Sequence, residues 1–239
     1  MIIIPARLDS SRLPNKVLAD IGGIPMVIKT AKAVEELDKV VIATDSKEVI
    51  DVAKSYNIDA ILTSKNCKSG TDRIYEAAKK LNLKDDEIII NVQADEPFIE
   101  KSVVKALLDL TKKYAKNSDI IATTCYKIVS LEEAKNPNLV KVVSSLDNMA
   151  LYFSRSLIPY DRDSNLKKYK AHLGLYGFTK KKLEIFCNMQ SGILEDIEKL
   201  EQLRVLDNGK KIALIEVESK SFGIDTKEDL QKALKIHIL

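Results

Sequence analysis

Four short segments concentrate the side chains able to do chemistry. The first runs Ile4-Pro5-Ala6-Arg7-Leu8-Asp9-Ser10-Ser11-Arg12-Leu13-Pro14-Asn15-Lys16. Three cations, Arg7, Arg12 and Lys16, leave an apolar run in a stretch with two prolines and no glycine, so it is neither a GxxxxGK[ST] nor a GxGxxG loop. Two guanidinium forks and one ammonium suit a polyanion, because arginine grips phosphate oxygens bidentately while lysine acts as a mobile point charge. A solvated basic loop pairing with Asp9 and Asp20 is the competing reading, and the position after a first strand favours phosphate. The second segment is Asn91-Val92-Gln93-Ala94-Asp95-Glu96-Pro97. Carboxylates at a strand end beside a phosphate loop are what a hard magnesium ion takes. Glu96 and Glu100 equally suit the start of a following helix; Asp95 suits it less. The third, Phe222-Gly223-Ile224-Asp225-Thr226-Lys227-Glu228-Asp229-Leu230, reads first as helix capping, with Asp225 or Thr226 as cap and Glu228 or Asp229 completing a box. Asp225 gains chemical meaning if it faces Asp95. The fourth, Ser69-Gly70-Thr71-Asp72-Arg73, is a small-residue turn suited to a base or phosphate at a helix N-terminus, a weak signal alone.

Each segment needs an element to aim it. β-branched runs occur at 1–4, 39–44, 60–62, 87–92 and 119–127, and helical patterns at 25–37, 47–56, 71–81 and 101–114. The first helix has apolar residues at Met26, Val27, Ala31, Ala33, Val34 and Leu37, among others, close to helical period. Runs apolar on both faces, alternating with helices, predict an α/β fold: a doubly wound, mostly parallel sheet covered on both sides. Ligands of such sheets bind beyond the carboxyl ends of the strands, at a topological switch point. After about residue 129 the rhythm breaks. A hairpin is expected at 140–145 and 149–154 around Asp147-Asn148, then a polar stretch ending in the basic run 167–170. A strand at 173–178, helices at 180–189 and 197–206, a strand at 211–217 and a helix from Thr226 complete the chain. It reads as a single domain, 1–239, whose β-rich insertion at about 140–178 serves as a substrate lid or a dimer contact.

Composition narrows the classes. The chain has 239 residues, 45% hydrophobic and 31% charged, enough to bury a core without disulfides. Lys plus Arg number 38 against 35 Asp plus Glu, an excess too small and dispersed for nucleic acid or an anionic membrane. Apolar runs such as Ile88-Ile89-Ile90 fall far short of the ~20 residues of a membrane span. Met1 leads directly into Ile2-Ile3-Ile4, so no signal peptide is expected. Cys67, Cys125 and Cys187 are odd in number and widely spaced, which predicts free thiols in a reducing cytoplasm. Two histidines, His172 and His237, leave no His-rich zinc centre, and no Ser-His-Asp set assembles.

Together the segments say more. IPARxxSxRLPxKxL, ATD (43–45), SGTDR (69–73), NVQADEP, NPNxVKVV (136–143), ALYFSRSLIPYDRD (150–163), HLGLYGF (172–178), LEQLRVL (200–206) and GIDTKEDL follow in one order. Over essentially its whole length the sequence resembles the CMP-Kdo synthetases, the 3-deoxy-D-manno-octulosonate cytidylyltransferase family. The opening motif is shared with other cytidylyltransferases, including CMP-sialate synthetases; YFSRxxIPxDR, HLGxYGF and LEQLRVL are more specific. One departure is Ala94, where glycine is expected; its methyl removes no functional group.

The resemblance implies a nucleotidyltransferase, Rossmann-like form of the predicted fold. It implies transfer of CMP from CTP to the anomeric hydroxyl of Kdo with Mg²⁺, releasing pyrophosphate, for lipopolysaccharide assembly. Arg7, Arg12 and Lys16 would hold the triphosphate. Ser69, Gly70 and Arg73, with the backbone near Ala6, would seat the cytosine. Asp95 and Asp225 would bind magnesium and, with Lys16 and Arg7, form the catalytic centre. Gln93, Arg155, His172, Tyr176, Glu201 and Gln202 would line the sugar pocket, and the insertion would join a homodimer. His172 reads equally well as a strand-face core residue, while Arg155 suits a carboxylate substrate; His237 is expected at the surface. The rivals are a cytidylyltransferase for another acidic sugar and a catalytically silent nucleotide-binding subunit. A GTP- or UTP-using sugar-1-phosphate enzyme is disfavoured, since no GGxGxRLxPLT-like loop is present.

Overall fold

The computed structural model describes residues 1–8 and 13–237, and the side chains up to 235. The expectations for Arg12 and for the His237 side chain lie outside the described residues. The first half alternates strictly: β1 (Ile2–Ala6), α1 (Met26–Val34), β2 (Val40–Thr44), α2 (Lys47–Ser55), β3 (Asp59–Leu62), α3 (Gly70–Lys80), β4 (Ile88–Asn91), α4 (Lys101–Tyr114) and β5 (Ile120–Ser130). A 3-10 turn at Lys16–Leu18 sits in the first connection. The second half comprises α5 (Leu131–Ala134), β6 (Lys141–Ser144), β7 (Ala150–Ser154), β8 (Lys168–Thr179), α6 (Lys180–Asn188), α7 (Ile193–Glu198), α8 (Leu203–Asp207), β9 (Lys211–Glu216) and α9 (Lys227–His237).

The sheet runs β3-β2-β1-β4-β8-β5-β9. β1 pairs in parallel with both β2 and β4, so the chain order reverses there. That reversal is a switch point, and the connections leaving β1 and β4 open a crevice above it. Alternate side chains of each strand face opposite sides. Ile2, Ile4, Ile42 and Ile90 pack with α1, α2 and α4, whereas Ile3, Ala43 and Ile89 pack with α3, α6 and α8. Both faces are therefore covered, which is why these strands read as unbroken apolar runs.

Three expectations need correction. β8 is antiparallel, lying between β4 and β5, and it begins at Lys168 rather than near Leu173. The basic run is part of this strand. Tyr169 is buried, while Lys170 reaches Ser144 Oγ at 2.6 Å and lies over the Tyr126 ring. The long stems of such lysines cover apolar surface and hide a strand from a polarity pattern. The helix expected at 197–206 is two short helices, because Lys199 takes a left-handed conformation at φ 54° that ends α7. β5 continues to Ser130, and Ser130 with Glu133 then forms a capping box that opens α5. Gly177 is required where it stands: a β-carbon there would lie 2.0 Å from Thr111 Oγ1 and 2.6 Å from Thr123 Oγ1, against the buried Thr111–Thr123 hydrogen bond.

The expected hairpin is present as β6 and β7 around Asp147-Asn148, with β6 also pairing β8. Its anchor is Lys141, fully buried, whose Nζ donates to the carbonyls of Asn136 (3.0 Å), Leu139 (2.7 Å) and Arg155 (2.7 Å). Among the described residues no helix is long and apolar enough to cross a membrane.

Candidate active site

Above the switch point lies a cleft of about 350 Å³, walled by the loop after β1, the start of α3, the turn after β4 and the segment before α9. Its lining includes Arg7, Lys16, Ser69, Gly70, Arg73, Gln93, Asp95 and Asp225. Eight of the residues singled out in the sequence thus share one cavity. Ala6 is buried in β1 between two lining residues, Pro5 and Arg7.

At its floor, Lys16 Nζ donates to Asp95 Oδ2 at 2.6 Å and to Asp225 Oδ1 at 2.8 Å. Burial opposes the Lys16 charge, but the two carboxylates outweigh it and hold its pKa above the ordinary lysine value. Local structure explains why Asp225 is available. The α9 capping box is made by Thr226 and Asp229, with Thr226 Oγ1 accepting from Asp229 N and Asp229 Oδ2 accepting from Thr226 N. Asp225 therefore escapes the capping role, and its carboxylate turns to the cleft. Glu96 and Glu100 do lie before α4 as expected, with Glu100 at its N-cap position, but their carboxylates bond elsewhere. Glu100 precedes α4 without a side-chain cap bond and instead accepts from Ser219 Oγ and Lys220 N, both at 2.7 Å. Glu96 accepts from Ser221 Oγ; burial, aided by Asp95 and opposed by Ser221, pushes its carboxyl up to about 7.

On the opposite wall, Ser69 caps α3 by accepting from Asp72 N. Gly70 permits the close approach to β1, since a β-carbon there would be 3.3 Å from Pro5 Cγ. Arg73, only 3% exposed, gives one terminal nitrogen to Thr63 Oγ1 (2.6 Å) and Ser64 O (3.4 Å), and the other to Asp45 Oδ2 (2.7 Å). Asp45 and Thr63 were not singled out as site residues. Asp45 belongs to the ATD motif at the end of β2, the place where a sheet presents ligand-binding groups.

The cytidylyltransferase family model matches residues 1–212. A 3-deoxy-manno-octulosonate cytidylyltransferase from a Nitratiruptor species is 56% identical over 97% of each chain. The chain belongs to the 3-deoxy-manno-octulosonate cytidylyltransferase family. The family member from Wolinella succinogenes is 52% identical over 99% of this chain and 98% of its own. A solved CMP:2-keto-3-deoxy-manno-octonic acid synthetase complexed with CTP is 36% identical, with a TM-score of 0.90 over 99% of this chain and 97% of the other.

The residues that family likeness assigns to the sugar are dispersed. Gln93 lines the cleft and donates to Gly174 O at 3.0 Å. Glu201 lines an adjoining groove that shares Arg7 and Ser69 with the cleft, and it accepts from Thr71 Oγ1 at 2.7 Å. Gln202 is buried beside it, its Nε2 without a hydrogen-bond partner among the described residues. Tyr176 packs in the core under Glu201; burial first and that carboxylate second raise its pKa well above the ordinary tyrosine value. His172 shares a hydrogen bond of 2.9 Å with Thr124 and packs edge-on to Phe153, and burial pulls its pKa down to about 3. Arg155 Nε donates to Glu198 O at 2.8 Å and its backbone N–H to Glu198 Oε2 at 2.9 Å, tying the hairpin to the end of α7. Arg155, His172, Tyr176 and Gln202 are not among the residues lining the cleft. Cys67 and Cys187 line the groove with their thiols pushed up to about 11 and about 12 by burial, so neither is a thiolate nucleophile.

Asp95 and Asp225 converge on a single cation, the Lys16 ammonium, within 2.8 Å. Two hard oxygen donors that close together, beside a basic loop, fit magnesium, which is usually held by one or two carboxylates plus substrate phosphates.

Proposed function

We propose that this chain transfers CMP from CTP to the anomeric hydroxyl of 3-deoxy-D-manno-octulosonate, releasing pyrophosphate and supplying CMP-Kdo for lipopolysaccharide assembly. The observation that carries this reading is the convergence of Arg7, Lys16, Asp95 and Asp225 on one cleft at the switch point of a chain in this family. The reading assigns the cytosine to Ser69 and Gly70 and the triphosphate to Arg7 and Lys16, with Arg12 assigned to the triphosphate by family likeness alone. Asp95 and Asp225 would hold magnesium, which when bound supplies charge neutralisation at the phosphates and a lowered pKa for the attacking hydroxyl.

The hydroxyl oxygen attacks the α-phosphorus in line and gives up its proton to solvent, the bond from the α-phosphorus to the bridging oxygen breaks, and its electron pair leaves on pyrophosphate. Such a transfer asks the protein mainly for positioning and electrostatic stabilisation. Arg7 and Lys16 meet the charge that gathers on the leaving group. Arg73 has its guanidinium locked by Asp45 and Thr63, so it shapes the nucleotide wall as a fixed cation. Gln93 and Glu201, which line the cleft and its adjoining groove, are assigned to the sugar, and Gln202 to the wall beside them. Arg155, His172 and Tyr176 are assigned to shaping that side from behind. No histidine base is required. A homodimer through the insertion belongs to the same reading, supported by Leu146, Leu151 and the 88% exposed Tyr160 on its outer surface.

Pyrophosphate release, measured with CTP and Mg²⁺ and with Kdo, sialic acid or no sugar, tests this. Release with Kdo alone, abolished by EDTA, is expected. Release with another acidic sugar instead would overturn the acceptor, and silence with every sugar despite CTP binding would overturn the enzyme reading.

A further inference from the structure

Between β9 and α9 the chain crosses the top of the sheet without regular structure, yet Asp225 at its end meets Asp95 at the same ammonium. What fixes so irregular a segment is a set of hydrogen bonds to the turn after β4. Ile224 N donates to Asp95 O at 3.0 Å. Glu100 takes Ser219 and Lys220, as described. Ser221, 1% exposed, directs its hydroxyl to Glu96 Oε2, and its carbonyl accepts from Lys127 Nζ at 2.9 Å. Gly223 lies alongside Glu96, where a β-carbon would stand at ordinary contact distance, 3.5 Å, from Glu96 Oε1. On the other side of Asp225, the Thr226–Asp229 box holds the backbone, with Asp225 N itself donating to Asp229 Oδ2 at 3.1 Å.

We propose that Glu96, through Ser221, is the positioning residue that sets Asp225 opposite Asp95. One short turn then supplies a carboxylate of the cation pair and, at the next residue, the clamp that places the other. The inference rests on the reading that the pair holds a divalent cation. Groups that orient metal-binding side chains are typically worth about 10–100-fold in metal affinity.

The test is Mn²⁺ uptake by the full-length protein with and without CTP, followed by the electron paramagnetic resonance of free Mn²⁺, beside CTP affinity measured without metal. Ser221→Ala and Glu96→Ala are expected to weaken Mn²⁺ binding about 10-fold or more while metal-free CTP affinity stays within about twofold. Glu96→Gln, which keeps an acceptor for Ser221, is expected to stay close to wild type. Unchanged Mn²⁺ affinity in the two alanine variants, with or without a drop in thermal stability, overturns the proposal. If Glu96→Ala does not fold, Ser221→Ala, a single hydroxyl removed, decides alone. Failure of the wild type to take up Mn²⁺ overturns the cation reading and the proposal with it, and that failure is seen in the wild type before any variant is compared.

Discussion

Lys16→Met removes the cation that Asp95 and Asp225 share while keeping the length and apolar stem of the side chain. In the free protein any divalent ion must displace this ammonium from hydrogen bonds of 2.6 and 2.8 Å. Charge-assisted hydrogen bonds in dry surroundings reach roughly 1.5–3 kcal/mol each. Here the carboxylate side chains are 25% and 40% exposed, and solvent reduces each bond to about 1 kcal/mol. Displacement therefore costs about 2 kcal/mol, which is about 30-fold in an equilibrium constant. Lys16→Met should bind Mn²⁺ about 30-fold more tightly than wild type in the absence of nucleotide, measured by electron paramagnetic resonance. Its turnover with CTP should nonetheless fall, because the triphosphate has lost a partner. Metal affinity equal to or weaker than wild type would refute the argument that the lysine and the metal compete for one place.

Other outcomes follow from the same geometry. Asp95→Asn and Asp225→Asn should each lose orders of magnitude in kcat while keeping the wild-type circular dichroism spectrum; near-normal turnover would remove that residue from the centre. Asp45→Ala leaves a buried guanidinium without its charge partner, at a cost of about 3 kcal/mol in urea unfolding, and should raise KM for CTP. His172 has a pKa of 6.5 when unfolded and about 3 when folded, so the unfolded state takes up a proton first as pH falls. Its contribution is complete above pH 6.5 and fades below it, about 2 kcal/mol being lost by pH 5. His172→Asn should flatten that slope in urea titrations across the interval, and an unchanged slope would assign the acid sensitivity elsewhere.

Much of this molecule was legible in its residues because the first half obeys one rule. β-branched runs buried on both faces alternate with amphipathic helices, and the chemistry sits after β1 and β4, where a doubly wound sheet presents it. The convergence of Asp95 and Asp225 on Lys16 was not readable from spacing: the ammonium lies 79 and 209 positions from its partners, and only the fold joins them. Asp225 also looked like a helix cap until Thr226 took that role. Strand direction was hidden too, since an antiparallel strand buried on both faces has the same apolar signature as a parallel one. The guanidinium of Arg155 meets backbone carbonyls at the end of α7, partners with no signature in sequence. Glu96 reads in sequence as an ordinary acid before a helix, because its partner Ser221 lies 125 positions away.

The place of β8 in the sheet bears on how the chain is made. β4 and β5 are separated by a strand, Lys168–Thr179, that the ribosome delivers only after β5 and the hairpin, so meanwhile β4 waits with one unpaired edge and β5 with two. Open edges of apolar strands invite pairing with other chains. Nascent protein should therefore be most prone to self-association between the emergence of β5 and that of Thr179, and a chain stopped within that interval should precipitate where the full chain does not. The cleft closes later still, since Asp225 follows the last strand. No incomplete chain can bring Asp225 to Lys16 and Asp95, so that cluster exists only in molecules whose sheet is already sealed.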